Sequence, residues 1–145
     1  MGAIGHSQGA GGVVNATNHS SGLIKTTVPI ALPNQIWVSP GDAYDVQLLT
    51  VPVLFLGGAN DIIIASPATL TGYYNEVPGA AAVAVLKEAG HNTIQQTGGG
   101  FLGYINAWMM YVLRNDNTAR GAFVGAPPEI NTNTSWQNQA EKNLP

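Results

Sequence analysis

Two apolar runs in the middle of the chain predict strands that are buried on both faces. Residues 51–56 and residues 81–86 carry no charged or hydrogen-bonding side chain. Short runs of this kind, bounded by turn residues, are typical of central strands in a parallel sheet. A further short strand is predicted over residues 26–32, and residues 3–4 look like the end of another.

The segments between these strands change to helical spacing. A helix is predicted over residues 10–18, where the glycines lower the helix propensity and therefore indicate close packing against a neighbour. A second helix is predicted over residues 67–75. A third helix, which ends at residues 115–117, is predicted from apolar residues that give it one buried face with the tryptophan in the core: Phe101, Ile105, Trp108, Met109 and Val112.

The alternation of strands and helices along the chain predicts an α/β fold with a mainly parallel sheet flanked by helices. We expect residues 1–125 to form the core of this fold. Residues 126–145 are rich in Pro, Asn, Thr and Gln, and an extended tail without regular structure is expected there. Because ligands bind at the carboxyl ends of parallel strands, polar residues that follow the strands are the candidates for chemistry.

The composition excludes several classes of function. A chain of 145 residues, 45% of them apolar, can bury a core. The net charge is −3 and the five basic residues do not cluster, so no nucleic-acid surface is expected. No apolar run approaches the roughly 20 residues of a membrane span. The chain has no cysteine, and its three histidines lack metal-ligand spacing, so neither a metal site nor a cofactor is predicted.

The candidate chemistry begins with the pentapeptide Gly5-His6-Ser7-Gln8-Gly9, which lies between a predicted strand and a predicted helix. A sharp turn between two such elements exposes a serine hydroxyl, and small residues two positions before and after the serine give it room. Asp61 and His91 follow the two buried strands. Ser7, Asp61 and His91 therefore stand in the chain order nucleophile, acid and base, each after its own strand.

The pentapeptide and the acid each have an alternative interpretation. A plain glycine-rich turn is the alternative for the pentapeptide, since the chain contains 18 glycines. An Asn-Asp pair often caps the following helix, which is the alternative for Asp61. Asp42 and Asp45 are rivals for the acid, but neither directly follows a strand, and Asp61 is therefore preferred.

The remaining candidates lie around the serine turn. His91 follows the last predicted strand, where a base is expected to emerge, although a simple loop histidine is the alternative. His6 is expected to pack beneath the turn or to line a substrate cleft, and His19 is expected at the surface. The N–H group of Gln8, at the start of the predicted helix, is the natural first donor to an oxyanion. Trp37 either stacks on an aromatic or acyl substrate or merely anchors its loop.

These segments resemble the α/β-hydrolase serine esterases, and among them the bacterial cutinase-like polyester hydrolases that include PET-degrading enzymes. The resemblance extends from Ile4 to about Phe123. It rests on the pentapeptide, on the strand at residues 51–55 with Asn60-Asp61, on Gly90-His91-Asn92 and on the helix at residues 107–116.

The resemblance implies a partial α/β-hydrolase fold, a mainly parallel half-sheet flanked by helices. It implies a serine carboxylester hydrolase that acts through an acyl-enzyme on ester or polyester substrates, and a secreted protein. Carried over residue by residue, it implies a nucleophile, an acid, a base, an oxyanion amide and two residues of the substrate cleft, in this order: Ser7, Asp61, His91, Gln8, and Trp37 with His6.

The chain departs from the family pattern in two ways. Family members commonly have a C-terminal disulfide, whereas this chain has no cysteine, so the tail must be held in another way. The family's first strands, and the loop that supplies a second oxyanion donor, have no counterpart before Ser7. We therefore expect an exposed sheet edge through which the chain forms a homo-oligomer or pairs with a separate N-terminal segment.

Two other functions stay open at this point. One is a catalytically silent or incomplete hydrolase fragment that acts as a folding or association module, because losing one oxyanion donor costs on the order of 10²- to 10³-fold in rate. The other keeps the fold and changes the chemistry, as in peptidase or thioesterase relatives.

Overall fold

The molecule is built on one five-stranded sheet, and the computed structural model describes residues 1–145. The strands are β1 (Gly2–His6), β2 (Thr26–Ile30), β3 (Val53–Gly58), β4 (Ala81–Leu86) and β5 (Trp136–Lys142). They lie side by side in chain order. The first four strands are parallel, and β5 pairs antiparallel with β4. This mainly parallel sheet, flanked by helices, confirms the predicted α/β class and is consistent with a partial α/β-hydrolase fold.

Helices cover both faces of the sheet. On one face lie α1 (Gln8–His19) and α2 (Pro67–Glu76). On the other face lies α3 (Leu102–Arg114), followed by the short helices α4 (Asn117–Arg120) and α5 (Glu129–Thr132). The sheet thus separates two apolar cores of similar size.

Strand β3 shows why these residues form the centre of the sheet. All six of its residues are buried. Val53 and Phe55 belong to the core beneath α1 and α2, whereas Leu54 and Leu56 belong to the core beneath α3. Successive side chains of a strand point to opposite faces, and burying a large apolar side chain stabilises a fold by about 1.5–3 kcal/mol. Strands buried on both faces, predicted from the apolar runs, are therefore confirmed in β3 and β4.

Trp108 fastens α3 to the sheet. Its side chain is fully buried, and its indole Nε1 donates to the Thr26 hydroxyl oxygen at 2.7 Å. The same hydroxyl donates to the carbonyl of Pro52 at 2.7 Å. The core position predicted for Trp108 is confirmed, and its polar atom is satisfied inside the core, as a buried indole requires.

The C-terminal tail differs from the expected extended loop. It forms α5 and then β5, whose register places Ala140 opposite Val83 and Trp136 opposite Leu86. The sequence of β5, WQNQAEK, is mostly polar, so no apolar pattern identifies it as a strand. It forms because the outer edge of β4 carries unpaired backbone groups, which must find partners when they leave water.

Close packing accounts for only part of the glycine content of α1. A Cβ atom at Gly11 would lie 2.8 Å from the ring of Tyr44, so glycine is required there. A Cβ atom at Gly12 would meet no atom within 4 Å. The packing expected from the sequence is thus found at Gly11, whereas Gly12 faces open space.

None of the helices combines the length and apolar composition that a membrane span requires.

Gly58, at the end of β3, lets the loop that follows β4 approach the strand. A Cβ atom at this position would lie 2.2 Å from the carbonyl oxygen of Ala89. We expect Gly58→Ala to lower the free energy of unfolding by about 1–3 kcal/mol, because the methyl group overlaps backbone that cannot swing aside. Urea unfolding measures the change.

Gly72→Ala is the matched control, because a Cβ atom at Gly72 in α2 would meet nothing within 4 Å. It should leave stability unchanged or raise it by up to about 1 kcal/mol through helix propensity. Equal stabilities of Gly58→Ala and the unsubstituted chain would contradict the close approach.

Candidate active site

Ser7 lies at the sharp turn between β1 and α1. Its backbone has φ 57° and ψ −122°, a conformation that costs a non-glycine residue on the order of 1–3 kcal/mol. The turn is held because the Ser7 N–H donates to the carbonyl of Ile30 at 2.9 Å. A Cβ atom at Gly5 would lie 2.1 Å from the carbonyl oxygen of Gly9. Gly5 therefore meets the steric need inferred from the pentapeptide, whereas a Cβ atom at Gly9 would meet nothing within 4 Å. A featureless glycine-rich turn does not describe this backbone.

Asp61 lies in the loop that follows β3 and is 4% exposed. Its Oδ1 accepts hydrogen bonds from the backbone N–H groups of Ile64 and Ala65, each at 3.2 Å. The cap of α2 is a different residue, Ser66, whose hydroxyl accepts from the Thr69 N–H. The capping role considered for Asp61 is therefore wrong. The two backbone bonds instead fix the carboxylate and leave Oδ2 free to face another group.

His91 joins the serine to the aspartate. It lies in the loop after β4, and its Nδ1 is 2.5 Å from Asp61 Oδ2. Its Nε2 is 2.7 Å from the Ser7 hydroxyl oxygen. Because a carboxylate only accepts, the Nδ1–H group donates to Asp61 and Nε2 is left to accept from the serine hydroxyl. An imidazole held in this way can take a proton from the serine and stabilise its own positive charge against Asp61.

The rival acids and the third histidine lie elsewhere. Asp45 Oδ1 accepts from the Gln47 N–H at 2.8 Å, and Asp42 lies in an exposed 3₁₀ turn. His19 is at the end of α1, where its Nδ1 is 2.8 Å from the Asn15 carbonyl oxygen. None of the three contacts His91.

His6 touches the loop of His91 in a way that the sequence did not reveal. Its Nε2 is 2.6 Å from the backbone carbonyl oxygen of His91, and the two ring centroids are 5.1 Å apart. A carbonyl only accepts, so Nε2 carries the proton. His6 therefore packs beside the serine turn, as one of the two expectations had it, and it holds the loop that carries His91.

The backbone N–H of Gln8 lies at the start of α1, directly after Ser7. As the first residue of a helix, Gln8 has no intrahelical acceptor, and its N–H donates to no other group of the protein. A free amide beside Ser7 is available to a developing negative charge.

Trp37 borders a groove of about 570 Å³ that opens beside Ser7 and Gln8. Trp37 is 56% exposed, and its indole Nε1 donates to the carbonyl of Ile63 at 2.9 Å. That bond ties the Trp37 loop to the Asp61 loop. The structure thus places Trp37 both as an anchor of its loop and as a wall of the groove.

Exposed apolar side chains in the loops that carry Trp37 and Asp61 were missed at the sequence level. They are Ile36, Ile62 and Ile63, each more than half exposed. The signal was present in the isoleucines that directly follow Asp61, because a loop that leaves a buried strand is usually polar.

The structure shows no grouping of three or more His, Cys, Asp or Glu side chains that could hold a metal ion.

The floor of the groove includes Tyr44, which shares a hydrogen-bond acceptor with Tyr73. Both hydroxyls donate to the carbonyl of Pro33, and the two hydroxyl oxygens are 3.2 Å apart. Burial raises the pKa of Tyr44 and also raises the pKa of Tyr73. In the other core, burial raises the pKa of Tyr104 to about 12.

Comparison with known families places these features in context. A family model described as PETase, PET hydrolase-like, matches residues 1–143. None of the curated proteins matches the chain. The family match includes Ser7, Asp61 and His91, and it extends beyond the segments that carry the sequence resemblance to include β5.

The raised tyrosine pKa values make stability fall in alkaline solution. A raised pKa means that the folded state holds the tyrosine proton more tightly than the unfolded state does. The stability gained in this way is fully present below about pH 10 and is lost as the pH rises through the pKa of the folded state. We expect the free energy of unfolding to decrease above about pH 10. Urea unfolding at several values between about pH 8 and about pH 11, a range that includes the ordinary tyrosine pKa, measures this dependence.

Tyr44→Phe should have a shallower alkaline decline than the unsubstituted chain, even though it loses the bond to Pro33 and is less stable at pH 8. Parallel curves for the two proteins would contradict the raised pKa of Tyr44.

Proposed function

The chain belongs to the PETase, PET hydrolase-like, family, and on this premise we propose that it is a cutinase-like serine carboxylester hydrolase that works through an acyl-enzyme. Membership of this family indicates a hydrolase of ester substrates.

One observation carries the proposal: Ser7, His91 and Asp61 form an unbroken hydrogen-bonded chain. The two bonds are 2.7 Å and 2.5 Å long, and the three residues come from three different strand ends. A serine hydroxyl, an imidazole and a carboxylate in this order are the arrangement that activates serine for attack on a carbonyl.

In the first half of the proposed reaction, His91 Nε2 takes the proton of the Ser7 hydroxyl as its oxygen attacks the ester carbonyl carbon. The carbonyl oxygen becomes negative and accepts from the N–H of Gln8. When the intermediate collapses, the carbon–oxygen bond to the alcohol breaks and His91 gives its proton to the departing alkoxide. Ser7 is left as the acyl ester.

In the second half, water replaces the alcohol. His91 takes a proton from the water, the resulting hydroxide attacks the acyl carbon, and the proton returns to the Ser7 oxygen as the acid leaves. Asp61 remains ionised throughout and stabilises the imidazolium. Its bonds to Ile64 and Ala65 keep the Oδ2 atom directed at His91.

A second candidate is an association module without turnover, and the free edge of β1 favours it. β1 pairs with β2 on one side only, and exposed Ile4 lies on this edge strand. An unpaired edge is a template for another strand. A module of this kind would bind through β1 and hydrolyse nothing, whereas the leading proposal requires Ser7-dependent turnover.

The direct test is the hydrolysis of p-nitrophenyl butyrate by the unsubstituted chain and by Ser7→Ala. We expect Ser7→Ala to reduce kcat to the background rate, because no nucleophile remains at the turn between β1 and α1. Circular dichroism establishes that both proteins fold. Equal rates for the two proteins would refute the serine mechanism, and no turnover by either would favour the association module.

A substitution of the acid tests the proposed assignment of Asp61. Asp61→Asn should lower kcat by about 10³- to 10⁴-fold, because the amide no longer stabilises the imidazolium and favours the wrong tautomer of His91. Asp45→Asn is the matched control and should leave kcat within about twofold, since an Asn side chain can still cap the Gln47 N–H. Comparable losses in both variants would argue against Asp61 as the acid.

A further inference from the structure

The groove beside Ser7 has a definite direction. It begins at Ser7 and Gln8 and runs along α1 past Gly12 to Asn15. Its opposite wall is the loop that contains Trp37 and the turn Pro40–Asp42. Residues Gln8, Gly12 and Asn15 are spaced so that they lie on one face of α1. The groove is thus extended, with the proposed nucleophile at one end, and we call it the α1 channel.

Gly12 is the position on this face that packing does not explain. Glycine inside a helix costs roughly 0.5–1 kcal/mol relative to alanine. At Gly11 the contact with Tyr44 accounts for the glycine, but a Cβ atom at Gly12 would meet nothing within 4 Å. A side chain at Gly12 would project beside the groove that this residue lines, and its absence keeps the channel open.

The position of His91 decides which part of an ester lies in this channel. His91 must reach the leaving oxygen to give it a proton, so the alcohol part of the substrate lies on the side of His91. The channel is lined by Ser7 and Gln8 but not by His91. The acyl part, which points away from the leaving oxygen, is therefore the part that can enter it.

We infer that the α1 channel is the acyl-binding subsite, that it accepts extended, uncharged acyl chains, and that Gly12 sets the length of chain it admits. This inference rests on the proposed serine esterase function. The apolar side chains of Trp37, Val38 and Ile64 line the channel and suit alkyl or aromatic carbon.

The charges along the channel select against an anionic acyl end. Asp42 is the one charged residue that lines it, and no Lys or Arg does. A carboxylate at the far end of an acyl chain would meet Asp42 without a cation to offset the repulsion. The channel therefore favours neutral chains over chains that end in a free acid.

The length of the admitted chain is tested with p-nitrophenyl esters from acetate to decanoate, which share one leaving group. For Gly12→Leu, the ratio of kcat/KM on decanoate to kcat/KM on acetate should fall at least about tenfold, since each methylene kept from the channel is worth about fourfold. Gly12→Ala should give an intermediate ratio. An unchanged ratio in Gly12→Leu would overturn the inference.

Gly103→Leu is the matched control. Gly103 is exposed on α3, and a Cβ atom there would also meet nothing within 4 Å. The substitution should leave the ratio unchanged. An equal fall in the ratio for Gly103→Leu and Gly12→Leu would show a general effect of added bulk and would overturn the role of Gly12.

Binding gives a readout that does not need turnover. Decan-2-one is a neutral ketone with an alkyl chain, and calorimetry measures its Kd for Ser7→Ala with and without Gly12→Leu. We expect Kd to rise at least about tenfold when Gly12→Leu is present. Failed hydrolysis by the unsubstituted chain together with this rise would refute the esterase but keep the channel. Equal Kd values would refute the channel even if the esterase is active.

The charge selection is tested with two ten-carbon substrates, p-nitrophenyl decanoate and the mono-p-nitrophenyl ester of sebacic acid. The unsubstituted chain should prefer decanoate. Asp42→Lys should shift this preference toward the acid-ended ester by about fivefold or more. A preference that does not move would contradict the role of Asp42.

Discussion

The geometry of the site depends on the parallel alignment of β1 to β4. In the sheet, His6 pairs with Ile30, Ile30 with Leu56, and Leu56 with Ala84. These four residues form one row across the strands; β1 and β2 end in this row, and β3 and β4 end two residues beyond it. The loops that leave the strands converge at this edge of the sheet. A slip of one residue in any pairing would turn each side chain of that strand to the other face and separate the serine from its partners.

Glycines bring the backbone segments of this edge into contact. At the serine turn, the close approach of Gly5 to Gly9 allows the strained conformation of Ser7. At the end of β3, the close approach of Gly58 to Ala89 brings in the loop of His91. These contacts act on the backbone and not on the reacting atoms. They explain how loops of different length meet at hydrogen-bond distance, and why the chain accepts the lower stability that glycine brings.

Much of the sheet and of the candidate site was predictable because both depend on local pattern. Apolar runs identify β3 and β4, and the residues that follow them include Asp61 and His91. β5 was not predictable, since its side chains are polar and only the free edge of β4 makes it a strand. The contact from His6 to the His91 carbonyl, like the channel along Gly12, joins segments far apart in the chain. Contacts between segments so far apart cannot be inferred from the local sequence around either residue.

If Ser7 is a nucleophile made reactive by His91, as we propose, a p-nitrophenyl alkylphosphonate should label it covalently. Mass spectrometry of the intact protein counts the adducts, and peptide mapping locates them. We expect one phosphonyl group per chain, on Ser7, and a much slower reaction in His91→Ala. Absence of an adduct on the folded protein, or an adduct on another residue, would contradict the proposal.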